Sequence, residues 1–529
     1  MTAGLAQTVE SATGLATFIG IDIGTFETKG VLVRADGQVL AQAGRTHGIS
    51  QPGPGQVEQD PVGIWWADLC AVARQLCAHP GAQAIAGVGL SAIGPCVVAT
   101  DSEFRPLRPA ILYGIDQRAT RQIAVLETTL GAAEIKRRCG NVLSSQSAGA
   151  KIAWLRDEEP AIWRASRWFM TSQSWLVAKL TGQVVIDHGT AGYFHPLYDL
   201  TAGVWNITGC EDFIAEHQLP RLAWADEIAG RVTPQAAAET GLPAGVPVIV
   251  GTTDSPAEAV GAGVVDDGAL MLQYGSSGYF IRVGNAEQQK SVDELYVAPF
   301  CFAGTSVLAA GTSTAGTATR WLCELLGLTG DDDARFGALV ELAGQSVPGA
   351  HGLLMLPLLA GERTPFQDAA SRGVLLGLDL RHNRADVARA TLEGIGHSMG
   401  EAVLTYRRHN VPITRAVAVG GATRNPFIVA TVGAVTGLTQ EIRAGAGAPL
   451  GDAFLAALGT GAVAGRSVIH DWLPPARIVP PPSSEIYRRD HDDYLRTYHA
   501  LASLQAERAA WGVWMGDDDG AGTAGEVRP

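Results

Sequence analysis

The sequence is short of cysteine, with seven in 529 residues, an odd count and no Cys-x-x-Cys pair. That excludes a disulfide framework and points to reduced thiols in a cytosol. Positive charge is also scarce, with 39 Lys and Arg against 53 Asp and Glu, a net charge of −14. Nucleic acid and anionic membranes reward clustered Lys and Arg, so neither is expected as the main partner. No apolar run is long enough to cross a bilayer, and residues 1–16 lack the basic start and apolar stretch of a signal peptide. The twelve His are scattered without ligand spacing, which argues against a structural metal. A Walker-type loop is missing, which argues against a P-loop NTPase. Together these absences leave a protein expected to be cytoplasmic.

What is present is a globular composition, 47% hydrophobic and 17% charged, on a chain too long for one core. Two domains of a few hundred residues each are expected. The anchor is 18–33, FIGIDIGTFETKGVLV, an apolar strand that breaks at Gly24-Thr25 and resumes as a hairpin. Gly24 would allow a positive φ and close approach to an anion, and Thr25, Thr28 and Lys29 offer donors. Asp22 stands just before the turn, where a carboxylate can hold a cation against phosphate oxygens. Taken alone, the stretch reads more readily as an ordinary glycine-turn hairpin.

A second hairpin of the same design occupies 270–283, LMLQYGSSGYFIRV. Between the two, 246–263 (VPVIVGTTDSPAEAVGAG) runs an apolar strand into Gly251-Thr252-Thr253-Asp254, and Ser255-Pro256 opens an Ala-rich helix. Asp254 thus lies at a strand's C-terminal end and beside a helix N-terminus. Open α/β sheets place ligands there, and the dipole favours the ionised carboxylate that a general base needs. A helix-stabilising Asp accounts for the same position. Residues 85–94 and 416–425 echo one another as apolar strand, glycine turn and helix, so the chain reads as two related α/β halves.

Other elements follow from periodicity. Asp60-Pro61 should open a helix with Ile64, Trp65, Leu69, Val72 and Leu76 on one face. Further helices are expected near 119–130, 148–157, 173–180, 311–326, 386–402, 426–436 and 447–461. Strands are expected at 84–90, 96–100 and 353–359. A helix over 485–505 carries a stripe of Tyr487, Tyr494, Leu495, Tyr498, Leu501 and Leu504 that should pack on the body, and 516–529 should be disordered. Cys70 and Cys77 read as core, His188 and His195 as core or surface, and Asp331-Asp332-Asp333 as a solvated turn or cap.

In this order, Asp22-Ile23-Gly24-Thr25, the turn 251–254, the Gly-Ser-Ser-Gly hairpin at 275–278 and GGATRN at 420–425 resemble the FGGY carbohydrate kinases. The similarity runs over about 17–465. Residues 373–393, GVLLGLDLRHNRADVARATLE, look like that family's C-terminal signature, and GERTP at 361–365 precedes it as in xylulokinases. KIAWLRDE at 151–158 and VEQDP at 57–61 are similar to further family segments.

The resemblance implies a two-domain α/β fold of the actin, hexokinase and Hsp70 type, ribonuclease H-like, with ATP and Mg²⁺ in the interdomain cleft. It divides the chain into a flexible 1–16, an N-terminal domain 17–264 for sugar and phosphate, and a C-terminal domain 265–466 for adenosine. A helical extension 467–515 and the tail 516–529 complete it. By position, Asp254 matches the catalytic base, and Asp22 with Asp254 the metal carboxylates. Gly24, Thr25 and Lys29 match the first phosphate loop; Gly275 and Ser276 match the second, where Ser replaces the usual Thr. Gly316 and Arg320 match nucleotide-facing positions, and Gly420, Gly421 and Asn425 the adenosine segment. The partner implied is a small sugar or polyol, with no nucleic acid and no membrane; the oligomeric state stays open, a homodimer included.

The chain departs from xylulokinases where a Gln-Met-His-Gly segment usually contacts the sugar. Here Ala92-Ile93-Gly94-Pro95-Cys96 replaces a His donor with a more apolar wall. Residues 112–118, LYGIDQR, stand where a Trp-Asn-Asp-type run one residue shorter is usual. Ile93, Gly94, Tyr113 and Asp116 are therefore candidate sugar contacts with Asp254, while Arg118 reads equally as a structural ion pair. A pentulose, D-xylulose first, is the expected acceptor, with erythritol-, arabinitol- and ribitol-like polyols behind it. Glycerol fits less well. From another class, a nucleotide-switching ATPase of the Hsp70 or actin kind shares the cleft, but GERTP and the C-terminal signature favour the kinase.

Overall fold

The computed structural model describes residues 16–287, 291–443, 445 and 447–510. Of the stretches expected to be flexible or disordered, 1–16 and 516–529, all but Ala16 lie outside the described residues.

The first hairpin forms as the alternation demands. β1 (Thr17–Ile23) pairs antiparallel with β2 (Glu27–Arg34), setting Asp22 opposite Lys29, and β3 (Val39–Thr46) extends the meander. Asp60 caps the helical turn that follows, accepting from the Val62 N–H at 2.9 Å, and the chain continues as α1 (Ala67–Cys77). Trp65, Leu69, Val72 and Leu76 of this helical run are buried. β4 (Ile85–Ala92) lies parallel to β1 and outruns its expected end. Ser91 and Ala92 remain in the strand because Asp22-Ile23 on one side and Thr252-Thr253 on the other both pair with them. β5 (Ile228–Arg231) and β6 (Pro247–Ile249) complete the order β5-β6-β4-β1-β2-β3, and α2 (Asp254–Gly261) leaves the sheet's C-terminal edge.

The second half repeats the plan. β7 (Ala269–Tyr274) and β8 (Gly278–Asn285) form the second hairpin, flanked by β9 (Tyr296–Pro299) and β10 (Thr305–Gly311). α3 (Gly316–Leu325) and the long α4 (Arg384–Arg408) precede β11 (Arg415–Val419), which is parallel to β7 as β4 is to β1. α5 (Pro426–Thr436), β12 (Gln440–Ile442), α6 (Ala448–Gly459), β13 (Arg477–Val479) and α7 (Glu485–Ala510) follow. The order β9-β10-β8-β7-β11-β12-β13 matches the first sheet strand for strand about its centre, with mixed pairing in both. The repeat legible in the two hairpins is therefore a repeat of whole sheets. Differences from expectation are local: 119–130 splits into Thr120–Leu126 and a wider turn Glu127–Gly131, and 353–359 shortens to Leu354–Leu356.

α6 joins the two halves. It comes late in the chain yet lies on the first sheet and on α2 with backbone against backbone. A Cβ on Gly451 would stand 1.9 Å from the Ala257 carbonyl oxygen, and one on Gly20 the same distance from that of Pro449. At Gly89 it would be 2.0 Å from the Asp452 carbonyl oxygen, and at Gly261 2.3 Å from that of Gly447. One apolar cluster consequently runs from Phe18 and Val33 through Leu450 and Phe454 to Met271 and Val417. In Gly451→Ala the added methyl has nowhere to go, so overpacking should cost about 1–3 kcal/mol, read as a lower thermal midpoint. Gly337→Ala, whose Cβ meets nothing within 4 Å, should leave that midpoint in place or raise it.

Candidate active site

The candidate residues of the first half gather at the C-terminal ends of β1, β4 and β6. After β6, Gly251 takes φ +70, a value only glycine holds easily, and its missing Cβ would lie 2.0 Å from the Leu90 carbonyl oxygen. This tight passage sets Thr252-Thr253 beside Ser91-Ala92 and makes Asp254 the first residue of α2. Asp254 accepts from the Ser255 N–H at 2.7 Å and the Ser255 hydroxyl at 3.2 Å, both on Oδ1. Oδ2 has no hydrogen-bond partner among the described residues. Burial pushes this carboxyl up to about 6.

Asp22 faces the same place. Burial first, and the Asp254 charge second, raise its carboxyl to about 7. Two acids that the sequence reading passed over join them. Glu258, one turn along α2, is raised to about 8 by burial, Asp254 and Asp22, and accepts from the Gln273 side-chain amide. Asp452 of α6 is held well above the carboxylate range by burial and by Asp22. Ser91 Oγ sits 2.9 Å from Asp22 Oδ1 and 2.7 Å from Asp452 Oδ2. A hydroxyl has one hydrogen, so it can donate to only one of these and must accept from the other. Asp452, fully buried and with Oδ1 unpartnered, is the one whose ionised form burial and the Asp22 charge most disfavour.

The rest of the sequence-derived set divides. Thr25 Oγ1 lies 3.1 Å from the Tyr113 hydroxyl, and Gly94 abuts Thr253, where a Cβ would press on Cγ2 at 2.4 Å, so Thr25, Tyr113 and Gly94 flank the Asp22–Asp254 pair. Lys29 is on the rim, paired with Glu27 at 3.1 Å and more than half exposed. Gly24 is present for a different reason than expected: its φ is not positive, and its role is to spare a clash with the Glu27 carbonyl oxygen 3.0 Å from the Cβ position. Thr28 turns inward to Asp68 at 3.4 Å, away from the cleft.

Three expected sugar or nucleotide contacts are otherwise employed. Ile93 is wholly buried in the first core, and its carbonyl accepts from Ser172 and Cys96. Asp116 is fully buried, accepting from the Val57 N–H at 2.7 Å and from Arg118 Nε at 2.9 Å. Arg118 also reaches Glu58 at 2.8 Å, and Asp116 and Arg118 are bonded as a buried ion pair. The Asn425 amide oxygen caps α5, accepting from the Phe427 and Ile428 N–H groups at 3.1 and 3.3 Å.

In the second half the turns converge. The Gly275 carbonyl accepts from the Gly316 N–H at 3.0 Å, and the Ser276 carbonyl from the Ala315 and Thr317 N–H groups at 3.0 Å. Gly420, at φ +95, lies against Tyr274, with a Cβ position 2.5 Å from its carbonyl oxygen. Gly275, Ser276, Gly316 and Gly420 therefore form one backbone-lined cradle, and Gly421 beside it has nothing within 4 Å of its Cβ position. Arg320 stands at the edge, exposed and 3.3 Å from Asp332. Gln273, bonded to Glu258, ties this cradle to the acidic floor. Two aromatics without a sequence signal, Tyr193 and Tyr279, lie within the field of Asp254, and Arg363 of the GERTP segment acts on Tyr113 and Tyr279.

Among the described residues no three His, Cys, Asp or Glu side chains are arranged to hold a metal unaided. Asp22 and Asp254 still fit Mg²⁺, which commonly takes one or two carboxylates and completes its shell with phosphate oxygens and water. Crowded, proton-retaining carboxyls are also what a missing cation would relieve.

The comparisons with known proteins agree with this geometry. Residues 17–261 match the N-terminal domain of the FGGY family of carbohydrate kinases, and residues 270–460 match its C-terminal domain. The xylulose kinase of Escherichia coli K12 is 29% identical over 446 residues, covering 83% of this chain and 89% of that one. The xylulose kinase of Klebsiella pneumoniae is 28% identical over 481 residues, covering 89% and 94%. The crystal structure of xylulose kinase from Rhodospirillum rubrum superposes with a TM-score of 0.85 at 29% identity, covering 93% of this chain and 100% of that one. Two hairpins, two matching sheets and a shared acidic floor have their explanation here: the chain belongs to the FGGY family of carbohydrate kinases.

Proposed function

We propose that the protein transfers the terminal phosphoryl group of ATP to a hydroxyl of a small sugar, a pentulose such as D-xylulose first, with Asp254 as general base. The N-terminal residues 17–264 would carry the acceptor and the phosphates, and 265–466 the adenosine. One observation supports this above the others: Asp254 stands at the head of α2 with Oδ2 unbonded, between Asp22 and the Tyr113–Tyr279 side of the cleft. A sugar hydroxyl titrates far above neutrality, so its attack on phosphorus needs a positioned acceptor for the proton. A carboxyl held near 6 is ionised at neutral pH and more basic than an ordinary Asp.

The other groups position and neutralise. The Gly275–Ser276 turn and the Gly24–Thr25 turn present backbone to phosphates, with Lys29 at the rim. Asp22 and Asp254 would hold Mg²⁺, which supplies charge neutralisation on the phosphate oxygens. Ser91 holds Asp22 in place through its hydroxyl. Closure of the halves on the acceptor would exclude water and suppress idle ATP hydrolysis. A second reading, a polyol of the erythritol, arabinitol or ribitol kind, is favoured by one feature: at 92–96 Ile93 is core and offers the acceptor no side-chain donor.

Four measurements test this. ADP release with ATP and Mg²⁺ should rise with one ketose or polyol of a panel; an unchanged basal rate across the panel would refute the kinase reading. Asp254→Asn should lower kcat by about 10²–10⁴-fold while ATP binding by calorimetry is retained. The base must be ionised, so kcat/KM for the acceptor should fall with decreasing pH below about 6. Stability carries the opposite sign. Asp22 and Glu258 have folded values of about 7 and 8, above the ordinary carboxyl range, so the folded state binds more protons and ligand-free stability falls as pH rises through these values. Mg²⁺ favours the ionised forms and should raise the thermal midpoint more at about pH 9 than at about pH 6.

A further inference from the structure

The loop 361–372 reaches the cleft from outside both sheets and is held from two sides. Its ends are drawn together by the Glu362 N–H donating to the Asp368 carbonyl at 2.7 Å and the reverse bond at 2.9 Å. On the inner side, the Arg363 guanidinium donates to the Thr312 carbonyl at the end of β10 and lies against Gly311, its Cζ 3.2 Å from the Cβ position there. Gly311 is the strand partner of Tyr279, and the same charge acts on Tyr113. The buried Glu362 carboxylate accepts from the Ser313 N–H at 2.8 Å and the Ser398 hydroxyl at 2.7 Å, tying the loop to α4.

On the outer side the loop rests on α7. The Phe366 ring stacks on Tyr498 with centroids 3.7 Å apart and planes 22° from parallel. The Tyr498 hydroxyl donates to Asp368 Oδ2 at 3.1 Å, and the Gln505 side chain accepts from the Arg372 N–H. Tyr494 and Tyr498 form an apolar cluster with Leu356 and Leu358, just ahead of the loop. A packing stripe on a terminal helix needs only apolar area. Here the contacts fall on both flanks of the hydrogen-bonded ring whose other face carries Arg363.

We propose that α7 is a positioning element for the acceptor side of the cleft: Tyr498, through Phe366 and Asp368, fixes the loop that presents Arg363 beside Tyr113 and Tyr279. This rests on the reading of that cleft as the acceptor site. Arg363 is the group that meets the acceptor, and Tyr498 acts only through it. A long side chain on a loop serves recognition only if the loop is held, because misplacement of a contact by about 1 Å is enough to erode it.

The test is a double-mutant cycle of Tyr498→Ala and Arg363→Ala on the full chain, reading acceptor KM, ATP KM, kcat and thermal midpoint. Tyr498→Ala should raise acceptor KM about tenfold with ATP KM unchanged, and should add nothing once Arg363 is Ala. Tyr498→Phe keeps the stack and loses the bond to Asp368; a rise of about threefold that also vanishes in the Arg363→Ala background supports the proposal even should the Ala variant fail to fold. Effects that multiply in the double variants, or a lower midpoint with acceptor KM unmoved, overturn it. Asp254→Asn measured alongside separates the two levels: normal turnover there sinks the kinase mechanism, whereas its loss together with multiplying effects sinks only the role of α7.

Discussion

Bare backbone pressed on bare backbone is the contact on which the rest of this molecule depends. Where α6 crosses β1, β4 and α2, glycines at 20, 89, 261 and 451 admit carbonyl oxygens into space a methyl group would fill. Interiors this closely packed do not yield continuously, so the ends of β1 and β4 and the start of α2 are set as one rigid body. Asp22, Ser91 and Asp254 each stand on one of those ends, and Asp452 stands on α6 itself. Their mutual placement follows from strand register and helix contact rather than from loop conformation.

Rigidity of this kind lets the site hold an arrangement that is unfavourable by itself. Four acids share a small volume, and each titrates higher than its isolated counterpart because burial disfavours ionisation; for Asp22, Glu258 and Asp452 the neighbouring carboxylates add to this. The resulting strain is electrostatic, of the kind a bound cation relieves. Asp452, which burial and Asp22 disfavour from ionising, is linked to Asp22 through the Ser91 hydroxyl. The second half contributes a neutral, backbone-lined cradle beside that acidic floor.

Much of this was legible in the chain. Asp22 and Asp254 each had a local explanation, a glycine-turn hairpin and a helix-stabilising acid, and it was the order of several spaced motifs that singled them out; the structure sets them close together. The duplicated hairpin announced the duplicated sheet. Other assignments could not be settled locally. Asp116 and Arg118 form a buried pair only because Val57 and Glu58 arrive from about sixty residues away. Asn425 reads as ligand-facing or as a cap, and the decision rests on the helix that starts at Pro426. Glu258 was within reach, since an acid four residues after Asp254 shares its helix face. Asp452 was not: it sits in an Ala-rich helix and meets Ser91 across 361 positions.

The late origin of α6 also bears on how the protein is made. The first sheet acquires its covering helix only after residue 459 has left the ribosome, although its own strands are finished by residue 253. Until then the flank at Gly20 and Gly89 has no cover, and Phe18 and Val33 lack Leu450 and Phe454. The nascent N-terminal half is thus an incomplete folding unit that must wait for the far end of the chain, and synthesis interrupted before α6 yields an exposed, association-prone product rather than a working lobe.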